Sequence, residues 1–145
     1  MIHIFNRSHY EDVLVTRVHG LIDDETAMQR MKAINNFEEL LEKSSHTHIL
    51  KFYLHISQEE QHERLQERID NPKKHWKYDE NDHKESNRWD QYMDVYADVF
   101  EHCNKVPWHI VPADQNWYKE YYIAQTLLNL MNGLEMKYPD LNKKE

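Results

Sequence analysis

The stretch HILKFYLHI, residues 48–56, limits the possible folds more than any other part of the chain. Its aromatic and branched residues fall on both faces of an extended backbone, where a strand with one wet face would alternate apolar with polar. Such a run reads as an interior strand of a parallel sheet, covered on both sides. Ser57-x-x-Glu60 follows at once, a capping box that starts a helix directly after the strand. Two more segments read as buried strands, IHIF (2–5) and WHIVPA (108–113).

Apolar periodicity predicts helices over 23–44, 57–70, 88–103 and 116–134. The first aligns Ala27, Met31, Ile34, Phe37 and Leu41, and the third aligns Trp89, Met93, Tyr96 and Phe100. The last aligns Trp117, Tyr121, Ala124, Leu128 and Met131, with Gly133 as its stop. These stripes read as core packing. Strand, helix, strand, helices, strand, helix is the grammar of an α/β domain with a parallel sheet covered on both faces. Three strands make a thin sheet for that class. Either a partner supplies strands or the front of the domain is missing.

The 145 residues have room for one domain with a core. A mean hydropathy of -0.98 describes a polar, water-compatible chain, while four Trp, nine Tyr and four Phe are too many for a disordered one. The net charge of -8 argues against non-specific binding to nucleic acid or an anionic membrane. A single Cys103 excludes an internal disulfide framework and fits a reducing cytoplasm. No stretch approaches the roughly 18 apolar residues of a membrane span, and no signal-peptide pattern opens the chain. Gly20 and Gly133, the only glycines, lie too far apart for a G-x-x-x-x-G-K-[ST] phosphate loop, whose backbone must wrap phosphate oxygens.

Ligands of open parallel sheets bind beyond the carboxyl ends of the strands. Those ends are Asn6-Arg7-Ser8, Ser57 and Asp114-Gln115-Asn116. Asn6 and Ser8 could simply cap a helix, with the neighbouring charges solvated. An Arg beside a strand end also suits a forked contact with phosphate, and a nearby Asn or acid can hold Mg²⁺ directly or through water. The second candidate is 64–92, where Arg64 and Arg68 lie one turn apart and Asn71-Pro72 breaks the helix. Lys73, Lys74, Lys77, Lys84 and Arg88 follow, interleaved with acids. The segment is either a solvated helical hairpin or a hinged lid that closes cations over an anionic substrate. The eleven His residues include H-x-H at His46 and His48 but no tight metal-ligand set.

IFNRSHYEDVLVTRVHGLI, LKFYLHISQEEQHERLQERIDNPKKHWKY, RWDQYMDVYADVF and PWHIVPADQNWYKEYYIAQTLL resemble the polyphosphate kinase 2 family almost end to end. The resemblance implies a three-layer α/β/α P-loop kinase-like fold, here an incomplete parallel sheet with a helical lid at about 64–92, in one truncated domain over 1–145. It implies phosphoryl transfer between inorganic polyphosphate and nucleotides (AMP, ADP, ATP) with Mg²⁺. FNRSHY is similar to the family's Walker B-like motif, so Asn6, Arg7 and Glu11 become the catalytic candidates, with Asn6 near Mg²⁺, directly or through water. The Asn form with Glu11 is similar to members that phosphorylate both AMP and ADP. Arg17 and His19 fall where the family places the nucleotide. Arg64, Arg68, Lys73, Lys74, Lys77 and Arg88 become phosphate contacts of the lid.

One departure stands out. The family carries a strand and a glycine-rich Walker A loop upstream of the FNRS motif, and this chain opens about two residues before the Walker B strand. The expectation is a chain inactive or nearly so alone, whose bare strand edges favour a homo-oligomer. A non-catalytic polyphosphate- or nucleotide-binding module is the second reading, and a fragment of a different nucleotide kinase the third.

Overall fold

The computed structural model describes residues 2–134 and 136–138. After an irregular opening, Ser8 caps a short 3-10 helix, His9–Asp12, by accepting from the Tyr10 N–H. One turn of helix follows, α1 (Val15–Val18), and ends at Gly20, whose φ of +64° places it in the left-handed region. Leu21 N–H then reaches back to the Thr16 carbonyl at 2.8 Å and Gly20 N–H to Arg17 at 2.9 Å, the pairing that closes a helix when glycine follows its last residue. Helix α2 (Asp24–Ser45) is started by Asp23, whose carboxylate accepts from the Thr26 N–H.

Strand β1 (Lys51–His55) lies parallel to β2 (Trp108–Pro112), with Lys51 opposite Trp108 and His55 opposite Pro112. The expected capping box opens α3 (Gln58–Asp70), Ser57 accepting from the Glu60 N–H at 3.1 Å. Between the strands the chain continues through a 3-10 segment, Pro72–Lys77, then α4 (Glu80–Ser86) and α5 (Trp89–His102). Helix α6 (Asn116–Gly133) follows β2.

The layers follow from the alternation of strand side chains. Tyr53 points to one face and meets Tyr96 and Phe100 of α5, with ring centroids 4.5 and 5.1 Å away. His109 points to the other face, stacks on Phe52 and approaches the Tyr122 hydroxyl of α6 at 3.4 Å. The sheet is thus sandwiched between α5 and α6, a three-layer α/β/α arrangement consistent with a P-loop kinase-like fold. The core lies on the α5 side, where Tyr10, Val13, Leu14, Ala27, Met31, Ile34, Val95, Val99 and Cys103 pack together.

Three expectations are corrected. Residues 2–5 form no strand: they are irregular, and Ile4 and Phe5 are 88% and 80% exposed. A strand exists only where its backbone groups find a ladder, and among the described residues the sheet contains only β1 and β2, paired to each other. The α6 stripe of Trp117, Tyr121, Ala124 and Leu128 is exposed rather than core, and no residue of that helix is fully buried. In α2, Ala27, Met31 and Ile34 are buried as expected, but Phe37 is exposed and Glu38 is buried next to it.

Candidate functional site

The carboxyl ends of both strands are tied together. Ser57 N–H donates to Asp114 Oδ1 at 2.7 Å and Ala113 N–H to the His55 carbonyl at 2.7 Å. Beyond them opens a cleft of about 240 Å³, lined by Glu60, Arg64, Glu67, Arg68, Lys74, Lys77 and Asn116. Helical spacing puts Glu60, Arg64, Glu67 and Arg68 on one face of α3. The segment after Asn71-Pro72 folds back over that face. It is held by Lys74 against Glu67, Arg68 against Asp82 of α4, and the His75 ring within 2.8 Å of the Ile69 carbonyl.

The four cations of the cleft do different work. Arg64 is already committed: Nε donates to Glu60 at 2.6 Å, and Nη2 donates to the carbonyls of Ala113 and Asp114 at 2.9 and 3.0 Å. It fixes α3 to the β2–α6 turn. Arg68 and Lys74 are ion-paired but half-exposed, so their partners can be exchanged for a stronger anion. The Lys74 hydrogen bond, aided by its charge, holds the Glu67 carboxyl below its ordinary range. Lys77 has no carboxylate within ion-pair distance among the described residues, and its ammonium lies 5.0 Å from the Trp76 ring centre. With four cations against two acids, the lining is net positive in a chain of charge -8. Lys73, on the same segment, points to solvent outside the lining.

The other expected residues form two separate groups. Arg17, His19 and Arg88 come together where α1 meets α4 and α5. Arg17 Nη2 bonds Asp98 at 2.8 Å and Asp24 at 3.1 Å. Burial opposes its charge, but these two carboxylates outweigh it and raise its pKa further. Its Nη1 is buried without a partner among the described residues, leaving that nitrogen's N–H groups spare. His19 Nε2 lies 3.0 Å from Glu85, Arg88 lies 3.7 Å from the same carboxylate, and the Tyr92 hydroxyl donates to it at 2.8 Å. Burial, then the Glu85 hydrogen bond, push the Tyr92 phenol up to about 12.

Asn6, Arg7 and Glu11 form the last group, at the surface. Arg7 has a φ of +76°, unusual for a residue with a Cβ, and its 81% exposed side chain reaches Glu11 at 3.5 Å. Ser8, as the plainer reading required, serves as a cap. Among the described residues no three His, Cys, Asp or Glu side chains gather to hold a metal ion. Asn6 offers one neutral oxygen, so the protein donors alone do not make a Mg²⁺ site, for which six oxygens are needed.

One group escaped the sequence reading. Lys51, 6% exposed at the start of β1, donates to Glu38 Oε2 at 2.8 Å, to the Tyr10 hydroxyl at 2.8 Å and to the Cys103 carbonyl at 3.0 Å. Its ammonium also sits over the Trp108 and Tyr10 rings at 4.7 and 5.1 Å. Tyr10 donates to Glu38 Oε1 at 2.8 Å, and burial followed by that carboxylate pushes its phenol far up. This network fastens the Asn6–Glu11 group to β1 and α2. The signal was present: a lysine inside a doubly apolar strand needs a buried partner, and Glu38 falls on the α2 stripe four residues after Ile34.

An α/β/α layer set with a net-positive cleft beyond the strand ends defines a protein of the P-loop kinase-like class. Residues 1–139 match the family described as polyphosphate kinase 2, and the chain belongs to that family. It is 44% identical over 138 residues to the AMP/ADP-polyphosphate phosphotransferase of Meiothermus ruber, covering 94% of this chain and 51% of the relative. It is 37% identical over 151 residues to the ADP-polyphosphate phosphotransferase of Rhodopseudomonas palustris, covering 94% and 52%. The crystal structure of polyphosphate kinase 2 from Arthrobacter aurescens TC1 superposes with a TM-score of 0.91 at 43% identity, over 97% of this chain and 50% of that one. The chain thus spans about half the length of these relatives.

Proposed function

We propose that this chain contributes the anion-gripping half of a polyphosphate-dependent nucleotide kinase, which moves phosphoryl groups between inorganic polyphosphate and AMP or ADP. The observation that carries the reading is the net-positive cleft of Arg64, Arg68, Lys74 and Lys77 beyond the tied strand ends. Relatives named as polyphosphate phosphotransferases support it.

Phosphoryl transfer asks a protein for positioning and charge neutralisation rather than covalent chemistry. In this reading Arg68 and Lys74 release Asp82 and Glu67 as phosphate oxygens arrive, while Arg64 stays in place as the frame. Lys73 and Lys77 lie on the same segment and meet the more distant phosphates of a long chain. Arg17, His19 and Arg88 form the nucleotide side, with Arg17 Nη1 as the spare donor. Arg7 and Glu11, held from behind by Tyr10, lie at the mouth of the transfer region. Mg²⁺, in our reading, would be held mainly by the substrate's own phosphate oxygens, with Asn6 as a protein oxygen that could reach it through water, and it would supply charge neutralisation there.

Neither glycine belongs to a phosphate-wrapping loop, so turnover by these 145 residues alone should be absent or lower than in a full-length relative by about a hundred-fold or more. That favours, as second reading, a polyphosphate-binding module. The same absence of membrane-spanning character among the described helices, with one buried thiol, agrees with a cytoplasmic protein.

The deciding experiment is titration with inorganic tripolyphosphate by calorimetry and NMR. Binding should weaken as salt rises and should shift the amides of 64–77. Arg68→Ala with Lys74→Ala should lower affinity about ten-fold or more, since charged hydrogen bonds are each worth ~1.5–3 kcal/mol. Unchanged affinity in that double variant would remove the reading.

A further inference from the structure

On the reading that the cleft takes polyphosphate and the Arg17 group takes the nucleotide, we propose that helix α4 is an acidic plug shared by both sites. Asp82 holds the place of a phosphate in the cleft, and Glu85 holds the place of one on the nucleotide side. An anion that displaces either side chain therefore raises affinity at the other site.

Spacing makes the link. Asp82 and Glu85 are three residues apart on α4, so their side chains stand next to each other one turn along the helix. Asp82 pairs with Arg68 of α3, which lines the cleft. Glu85 faces the other group: His19 Nε2 lies 3.0 Å away, Arg88 Nε lies 3.7 Å away, and the Tyr92 hydroxyl donates to it at 2.8 Å. A helix of seven residues is about 10 Å long and moves as one piece, so neither carboxylate leaves without shifting the other.

Both seats suit a phosphate better than a carboxylate. The side chains of Arg68, Asp82, His19, Glu85 and Arg88 are 33–40% exposed, a range in which ion pairs between side chains contribute little. A phosphate group brings more charged oxygens to a guanidinium fork than a carboxylate does. Displacement at either end is within reach of a ligand.

The joints of α4 allow it to move. Tyr78 and Asp79, which lead into the helix, are extended rather than helical. At the other end Ser86 is buried, and the Arg88 N–H donates to the Glu85 carbonyl at 2.9 Å, so α4 turns about that end. Charge gives the sign of the coupling. Once a phosphate takes Arg68, Asp82 is an unpaired carboxylate beside that phosphate and one turn from Glu85, and both repel it. As α4 turns away, Glu85 goes with it, and His19 and Arg88 are left open to a second anion. The effect runs equally from Glu85 to Asp82, as linkage requires.

Calorimetric titration of the full chain with inorganic tripolyphosphate and with AMP tests the plug. Asp82→Asn with Glu85→Gln removes both stand-in charges and keeps the side-chain shapes. Each anion should bind that variant at least about five-fold more tightly than the parent chain. Glu42→Gln with Glu101→Gln, at two exposed acids outside both sites, removes the same charge and should gain less than about two-fold in ~0.15 M salt. In the parent chain, saturating tripolyphosphate should tighten AMP binding, and AMP should tighten tripolyphosphate by the same factor. Asp82→Asn alone, with no ligand present, should shift the side-chain NMR signals of His19 and Tyr92, and tripolyphosphate should shift them in the same direction in the parent chain. His19 and Tyr92 signals that ignore Asp82→Asn, a double variant that gains no more than its charge-matched control, or anions that bind the parent chain without affecting each other would each overturn the proposal. Tripolyphosphate that binds neither the parent chain nor the double variant would remove the reading of the cleft along with the plug.

Discussion

On the α2 and α5 side of the sheet, Val13, Met31, Val99 and Cys103 are sealed from water and even the charges are paired inside the core. On the α6 side no helix residue is fully buried, and its contact with the sheet runs through half-exposed tyrosines such as Tyr122. The cleft lies beside this looser side, framed by Arg64, whose guanidinium bridges α3 to the start of α6. The contrast separates rigidity from recognition. Charges on the packed side are spent in fixed pairs, whereas Arg68 and Lys74 of the cleft are paired at the surface, where water and ligand can replace either partner.

The largest effect should come from the pair that pins the packed side. Lys51→Met removes the one buried cation facing Glu38 among the described residues, leaving a carboxylate with 1% exposure beside only the half-exposed His9 ring at 3.4 Å, at a cost of up to about 3–5 kcal/mol. Urea unfolding followed by tryptophan fluorescence measures it. Adding Glu38→Gln to that background should recover part of the loss, because the stranded charge is gone. A loss under about 1 kcal/mol would mean that water already reaches Lys51 and that the two sides differ less than their burial suggests.

Next in size is a matched pair of truncations. Met31→Ala opens a cavity among Ala27, Val99 and Cys103 and should cost ~2–4 kcal/mol. Leu128→Ala, on the open back of α6, should stay within about 0.5 kcal/mol in dilute solution. Equal costs at the two sites would erase the comparison.

How much of this was legible beforehand depends on range. Helices α2, α3, α5 and α6 and strands β1 and β2 lie within a few residues of their expected bounds, because caps such as Ser57 and Asp23 and a local apolar period are written in adjacent residues. Residues 2–5 have strand composition, yet a strand is a property of two segments, and no neighbour for Ile2–Phe5 can be read from their own sequence. The α6 stripe was found but assigned to the wrong side. Periodicity gives a stripe without a direction, and a helix with two charges has no polar face to say which way is out. In the cleft, Arg64 and Arg68 on one face followed from spacing, but the use of Arg64 as a bridge depended on the Ala113 and Asp114 carbonyls, about fifty residues away.

The smallest effect tests a surface clamp on the packed side by pH. The Glu39 carboxylate accepts from Lys105, beyond α5, and from Lys43 of its own helix, and these bonds, Lys105 first, hold it down at about 2. The folded pKa lies below the ordinary 4.5, so the contribution to stability is complete above about pH 5 and fades as pH falls through the folded value. Because the pair is solvent-facing, salt should weaken it in the same direction. Glu39→Gln should therefore lower the unfolding midpoint slightly at pH 7, and the difference from the parent chain should shrink toward pH 2 and in molar salt. An NMR titration of the Glu39 side chain gives the direct reading. A midpoint at 4.5 would mean that Lys105 does not hold α2 in solution, and that the packed side owes its order to the buried Glu38–Lys51 pair and the apolar core alone.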